Sequence, residues 1–263
     1  MLRLILALIR LQIRTQMEYR AAFFVDRIAQ ILSYAAAFGA IWVLLNRFNT
    51  VGGWRWPEMA ILISFQLLSY AIGAALSFVQ FRGIEEQVRL GTFDSLLVRP
   101  ISPWLYLTFS GFNMGYLGHV VLAVALMVWS LTAVDTHWTA ESIIYLVASL
   151  LSASMFVAAV LTIIGASALV VVQSSYFYTV FFSLCELTRY PLTVFPSGLQ
   201  WTLLTVLPFA FMNYVPTAVF LGKDVPLLGS SAGPLSLLAG PLMAGLAALH
   251  WRWCLSRYQG AGG

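Results

Sequence analysis

The chain has 263 residues, 60% of them hydrophobic and 9% charged, with a net charge of +4 and a mean hydropathy of +0.86. So small a polar share cannot keep a chain of this length in water, which excludes a soluble enzyme or binding domain and makes this a polytopic membrane protein. The positive balance then reports which side of a bilayer each loop occupies, not an acidic soluble partner or a nucleic acid.

Residues 2–20 set Arg3, Arg10, Arg14 and Gln16 among leucines and isoleucines, with the arginines seven and four apart and so on one helical face. This predicts an amphipathic helix lying in the membrane interface. Arg10 and Arg14 interrupt the apolar core that a signal peptide would need, so the segment is expected to stay on the mature protein. A first span is predicted over Phe23–Leu45, with Asp26 and Arg27 near its entry. The turn Asn46–Pro57 carries Trp54 and Trp56 as interface anchors, and Pro57 suits a helix start. The second span runs over Glu58–Gln80. A third is predicted to open at Ser102 and Pro103 and to reach Leu131 unbroken; Gly111, Gly115 and Gly118 would allow close helix contact there. After a loop with Asp135, His137, Trp138 and Glu141 come a fourth span, Ser142–Ala168, and a fifth, Val172–Tyr190. Residues 191–221 are apolar but divided by Pro191, Pro196, Pro208 and Pro216 into pieces too short to cross, so helices that enter and turn back are expected. Lys223, Asp224 and the glycine-rich stretch 229–233 form a loop before the last span, Pro234–Leu255, which Trp251, Trp253, Arg252 and Arg257 close at an interface.

The one sizeable polar stretch lies between spans two and three, FRGIEEQVRLGTFDSLLVRPISPW, residues 81–104, with six of the 24 charged residues. Ile84 and Val88 are one helical turn apart, with Glu85, Glu86 and Arg89 on the other side. Gly91 breaks this helix, Thr92 can cap a second turn bearing Phe93, Leu96 and Leu97, Asp94 and Arg99 add charge, and Pro100 ends it. Two short amphipathic helices joined by a glycine make a compact knob with the composition of a docking element. Its bland alternative is packing on its own helix ends and the headgroups.

With the N-terminus inside, ten basic residues are cytoplasmic and four (Arg47, Arg55, Arg189, Lys223) lie outside. That distribution favours both termini in the cytoplasm, six crossings and a cytoplasmic knob.

No phosphate-binding loop, dinucleotide fingerprint, metalloprotease motif or carboxylate cluster is present, and no charge is expected at mid-membrane, where charges mark ion pathways. Cys185 and Cys254 have no metal or disulfide spacing and read as buried thiols, and His119 and His137 as structural histidines. Two polar stripes remain. In span two, Gln66, Ser69, Gly73, Ser77 and Gln80 share one helical face. In span five, Gln173, Tyr176, Thr179, Ser183, Glu186 and Tyr190 do the same. They either glue helices together or line a route, for which the aromatics Tyr70, Tyr176 and Tyr178 would suit an amphiphilic cargo.

Two stretches carry a family resemblance. RLGTFDSLLVRPISP, residues 89–103, resembles the signature of ABC-2-type permeases of uncharacterised ABC export systems. RYPLTVFPSGLQWTLLTVLPFAFMNYVPTAVFLG, residues 189–222, resembles the tyrosine-proline and P-F-A-F-x-N-Y-x-P region of the same group. The resemblance implies a membrane subunit, not itself an enzyme, that pairs with an identical or related permease and with two separate ATPase subunits; these hold the ATP and magnesium, and this chain binds no cofactor. It implies that the knob is a coupling helix on which Glu85, Glu86, Arg89, Phe93, Asp94, Leu96, Leu97 and Arg99 contact the ATPase. It further implies that residues 191–221, with Pro191, Pro196, Pro208, Asn213, Tyr214 and Pro216, form an outer gate.

The expected fold is thus an all-α, six-span permease with an interfacial N-terminal helix, in an inner or plasma membrane among its lipids. A membrane-embedded assembly protein that docks a soluble partner through residues 81–104 is the reading from another class. Gly165-Ala166-Ser167-Ala168 also resembles the GxSG of rhomboid-type intramembrane proteases, with His250 at a similar depth. Its fourth residue is alanine, no matching motif surrounds His250, and Ser167 reads as a small residue at a helix end.

Overall fold

A computed structural model describes residues 2–18, 20–48, 50–135, 138–171 and 173–260; His137 lies outside them. The described residues are built from helices: α1 (Leu2–Gln16), α2 (Arg20–Phe48), α3 (Trp56–Arg82), α4 (Ile84–Arg89), α5 (Asp94–Leu97), α6 (Pro103–Ser110), α7 (Leu117–Ala133), α8 (Ala140–Val171), α9 (Ser175–Leu187), α10 (Ser197–Trp201), α11 (Tyr214–Phe220) and α12 (Ala232–Arg257). Among the described residues four stretches are long and apolar enough to cross a membrane: Trp56–Arg89, Met114–Ala133, Ala140–Val171 and Gly229–Arg257.

Against six expected crossings, these four are long and apolar enough, and the helices at the other two expected spans differ from each other. α2 has the length of a span at 29 residues. α9 has only 13, about 20 Å of rise against a hydrocarbon core of about 30 Å. The third span is not continuous either: α6 ends at Gly111, and a 3₁₀ turn, Met114–Tyr116, precedes α7. Close packing explains the break. A Cβ on Gly111 would stand 2.1 Å from Gln80 Cγ, so the chain bends where α3 reaches into it. The backbone exposed there is satisfied from α1. Gln16 Oε1 accepts from Met114 N at 2.8 Å, Gln16 Nε2 donates to the Phe112 carbonyl at 2.7 Å, and Gln12 Nε2 donates to the Ser110 carbonyl.

α8 is the central helix, packed between α3 and α12. Two glycines set these spacings. A Cβ on Gly73 would meet the Ser154 carbonyl at 2.6 Å, and one on Gly240 would meet the Ser152 carbonyl at 2.0 Å. Ser152 Oγ joins the second crossing, donating to the Ser236 carbonyl and accepting from Gly240 N. The buried apolar residues form one long cluster through α3, α7, α8 and 203–218, and a second around Phe81, Ile84, Phe93, Leu107, Trp251 and Cys254 under the knob.

At the opposite end, Trp54 is buried, not an interface anchor; its ring packs on Tyr214 with Lys223 over it. Glu58, at the start of α3, accepts from Arg55 N and pairs with Lys223 at 3.1 Å. Residues 191–221 are broken into pieces of three to seven residues; Pro191, Pro196 and Pro208 stand between helical pieces, where a proline forbids continuation, whereas Pro216 sits in the first turn of α11.

Candidate functional site

Gly91, at φ +69°, supplies the left-handed turn that folds α5 back against α4. The fold divides the predicted coupling residues into two sets. Ile84, Phe93 and Leu96 are buried in the second apolar cluster, with Val88 against it. They hold the knob on rather than offer it to a partner. Phe93 stacks edge-on with Tyr258 at 5.0 Å, and burial first, then the Asp94 carboxylate, push the Tyr258 phenol above its ordinary pKa. The exposed set is Glu86 and Arg89, paired at 3.0 Å, with Leu97 and Arg99; the Arg99 guanidinium lies 4.2 Å from the Tyr106 ring centroid. Two residues absent from the predicted set belong here: Leu90 is exposed, and Val98 is 85% exposed. They sit in the quoted signature, but periodicity alone could not separate them from buried neighbours.

Glu85 points inward. Its carboxylate accepts from Ser174 N at 2.9 Å and Ser175 N at 2.8 Å, with both serine hydroxyls within 3.5 Å. It thus caps the start of α9, where unpaired amides and the helix dipole favour a negative group. The predicted Thr92 cap does not form, because its Oγ1 donates back to the Gln87 carbonyl, and Ser102, at the expected opening of the third span, precedes α6 with no side-chain cap bond.

The two polar stripes do not face each other along their length. On α3, Gln66 Nε2 donates to the Cys185 carbonyl and to Thr188 Oγ1, Ser69 Oγ to the Gln66 and Met212 carbonyls, and Ser77 Oγ to the Gly73 carbonyl. All three are buried; Gln66 and Ser69 tie α3 to other segments, whereas Ser77 bonds within its own helix. Asn213 joins the same lock, its Nδ2 donating to the Thr188 carbonyl at 2.6 Å and its Oδ1 accepting from Tyr214 N. Asn213, Tyr214, Pro191 and Pro216 of the predicted gate are buried, Pro208 is half-buried and Pro196 exposed. On α9, by contrast, Tyr176 (72% exposed), Thr179, Ser183 and Glu186 form an uncovered face, and Tyr178 turns inward onto Phe78. The stripes meet at one place, a cavity of about 100 Å³ lined by Gln66, Tyr70, Glu186, Arg189 and Tyr34. Glu186 and Arg189 pair there at 2.7 Å. Beside it, His119 Nε2 lies 3.1 Å from the Tyr34 hydroxyl and packs against Tyr70 and Tyr116, a structural histidine.

Ser167 and His250 do touch, at 3.1 Å, which depth alone had left open. Ser167 Oγ donates to the Ile163 carbonyl at 2.9 Å, and Cys254 Sγ lies 3.3 Å from the same His250 Nε2. With its proton directed to the backbone carbonyl, the Ser167 hydroxyl is not offered to His250 as a nucleophile is to its base. The trio clasps α8 to α12. Both cysteines are free, Cys254 buried and Cys185 half-buried. Among the described residues no group of three His, Cys, Asp or Glu side chains converges on a metal position.

The two stretches that carry the motifs thus fold as an amphipathic knob broken at Gly91 and as a run of short helical pieces over 191–221. The family model of the ABC-2 family transporter protein matches residues 31–262. The chain belongs to the ABC-2 transporter family. Searches of curated proteins and of solved structures found no match. As an ABC-2 permease it is a multi-pass membrane component of an ABC transporter system, a type of subunit that is generally not catalytic itself and works with an ATPase partner.

Proposed function

We propose that this permease is one half of the translocation pathway of an ATP-driven exporter. It pairs with an identical or related permease, is driven by separate ATPase subunits that carry ATP and magnesium, and moves an amphiphilic or lipophilic cargo. Both termini and the knob lie in the cytoplasm, α2 joins the four long apolar stretches as a crossing, the short α9 with the turn to Tyr190 makes the sixth where the bilayer thins to meet it, and 191–221 forms the outer gate. The observation that carries this reading is the knob's uncovered apolar cap. Leu90, at the end of α4, and Leu97 and Val98, at the end of α5, stand exposed on the same knob as the Glu86–Arg89 pair, and α4 continues the spanning helix α3. Apolar groups at such a position call for a partner surface. Glu85 supplies the path inward, because a push on α4 reaches the start of α9 through its carboxylate. The uncovered face of α9, with Glu186 and Ser183, is poorly matched to lipid and well matched to a wet pathway shared with a second permease.

Retention of a soluble ATPase on the tagged permease, taken from its native membrane in mild detergent, tests this. The ATPase should co-purify with the unaltered chain and be lost from a Val98→Asp, Glu86→Lys variant that inserts normally. Retention on that variant, or no ATPase at all under conditions that preserve a known transporter complex, overturns the reading and favours an assembly protein.

A further inference from the structure

A second feature lies away from both the knob's exposed cap and the α9 face. At the knob end of the bundle, α3, α6, α8 and α12 enclose a largely apolar cavity of about 430 Å³, within the roughly 300–1,000 Å³ range of small-molecule sites. It exists because the facing positions are small: Ala244, Ala247 and Ala248 on α12, and Ala158 and Ala159 on α8.

The lining is ordered by depth. On α12, Arg252, Ala248 and Ala244 follow one another at four-residue steps down a single face. The cavity is thus cationic at its mouth and methyl-lined below. On α6, Trp104 and Thr108 repeat the step, with the half-exposed indole above and the hydroxyl one turn deeper. Two groups are unsatisfied. Thr108 is only 7% exposed and its Oγ1 has no hydrogen-bond partner among the described residues. Arg252 is exposed and, among the described residues, has no ion pair or hydrogen bond to its side chain. A buried hydroxyl without an acceptor and a cation without a counter-charge, lining one apolar cavity, specify a ligand with an anionic group, a polar linkage and a hydrocarbon chain.

We propose that this cavity is a binding site for one anionic phospholipid per chain. Its phosphate rests on Arg252 beside Trp104 and Trp251, an ester oxygen accepts from Thr108 Oγ1, and an acyl chain lies between the alanines. The lipid is a resident of the site and not the cargo. It wedges α12 against α3 and α8 where side chains leave a gap.

The test uses the purified permease alone in mild detergent, offered phosphatidylglycerol and phosphatidylcholine of identical acyl chains, with retained lipid read by native mass spectrometry. One phosphatidylglycerol per chain is expected, favoured about fivefold over phosphatidylcholine, the effect of one basic residue near an anionic surface. Arg252→Gln, at an exposed position, should bring the two lipids to equal retention, and Ala248→Phe should abolish retention of both. Should Ala248→Phe fail to fold, Ala158→Leu fills the cavity from the opposite wall. The Arg252→Gln readout is independent of either. Equal retention of the two lipids by the unaltered chain, or retention that survives a folded cavity-filling variant, overturns the proposal. So does release of the bound lipid when the assembled transporter hydrolyses ATP, which would make it cargo. The first two readouts need no ATPase, so they can fail while the exporter reading stands.

Discussion

Gln66, Ser69, Gly73 and Ser77 on α3 repeat nearly the same spacing as Tyr176, Thr179, Ser183 and Glu186 on α9. Yet the first set is buried, with its side chains bonded to carbonyls or pressed on α8, and the second is uncovered. A polar stripe in an apolar helix thus has two fates, and the neighbouring helices decide which. α3 has α7 and α8 against it along its length, so its polar groups must find partners inside the chain. α9 lies at the edge of the chain, so its groups await a partner or water.

The largest effect that tests this contrast is expected at Gly73→Leu. With the Ser154 carbonyl 2.6 Å from any Cβ, α3 and α8 must separate, at a cost of about 3 kcal/mol or more, and inserted protein should fail to run as a single species in size-exclusion chromatography. Gln66→Leu comes next. It removes both hydrogen bonds that tie the end of α9 to α3, to the Cys185 carbonyl and to Thr188 Oγ1, and should cost about 1–3 kcal/mol, read as a lowered Tm in detergent. Glu85→Lys puts a positive charge at the start of α9 and should cost about 1–2 kcal/mol; the ATPase should remain bound while ATP-driven export is lost. At Ser183→Ala and Thr179→Val the stability change should stay within about 0.5 kcal/mol, with export altered and Tm unmoved. If those two lower Tm as far as Gln66→Leu does, the faces are alike and the contrast fails.

Much of the fold was legible because its signals are local. Prolines cut 191–221 into pieces, Pro57 opened a helix, and Gly91 turned the knob where the sequence demands a left-handed residue. Other features depend on partners far along the chain. Glu85 reads as one of three charges on a solvated face, and nothing nearby announces that the amides it needs are about 90 residues away. The break at 111–116 looks like continuous span because Gly111 yields to Gln80, a contact between helices. Trp54 carries the composition of an interface anchor and is buried because Tyr214 and Lys223 close over it. Leu90 and Val98 differ from Val88 and Leu96 only in which side of a two-turn knob meets the second apolar cluster.

The seat of α1 has a consequence for the order of events in biogenesis. Gln12 and Gln16 leave the ribosome before the backbone groups they satisfy, which follow 96–98 residues later. Until those residues have been synthesised, α1 lacks this seat, and its amphipathic sequence gives it a place to wait among the headgroups. The half-made third span, in turn, carries bare carbonyls that hydrocarbon cannot accept. Docking of α1 on this hinge can therefore begin only once residues 110–114 have been made, and a chain lacking residues 1–18 should leave that hinge unsealed.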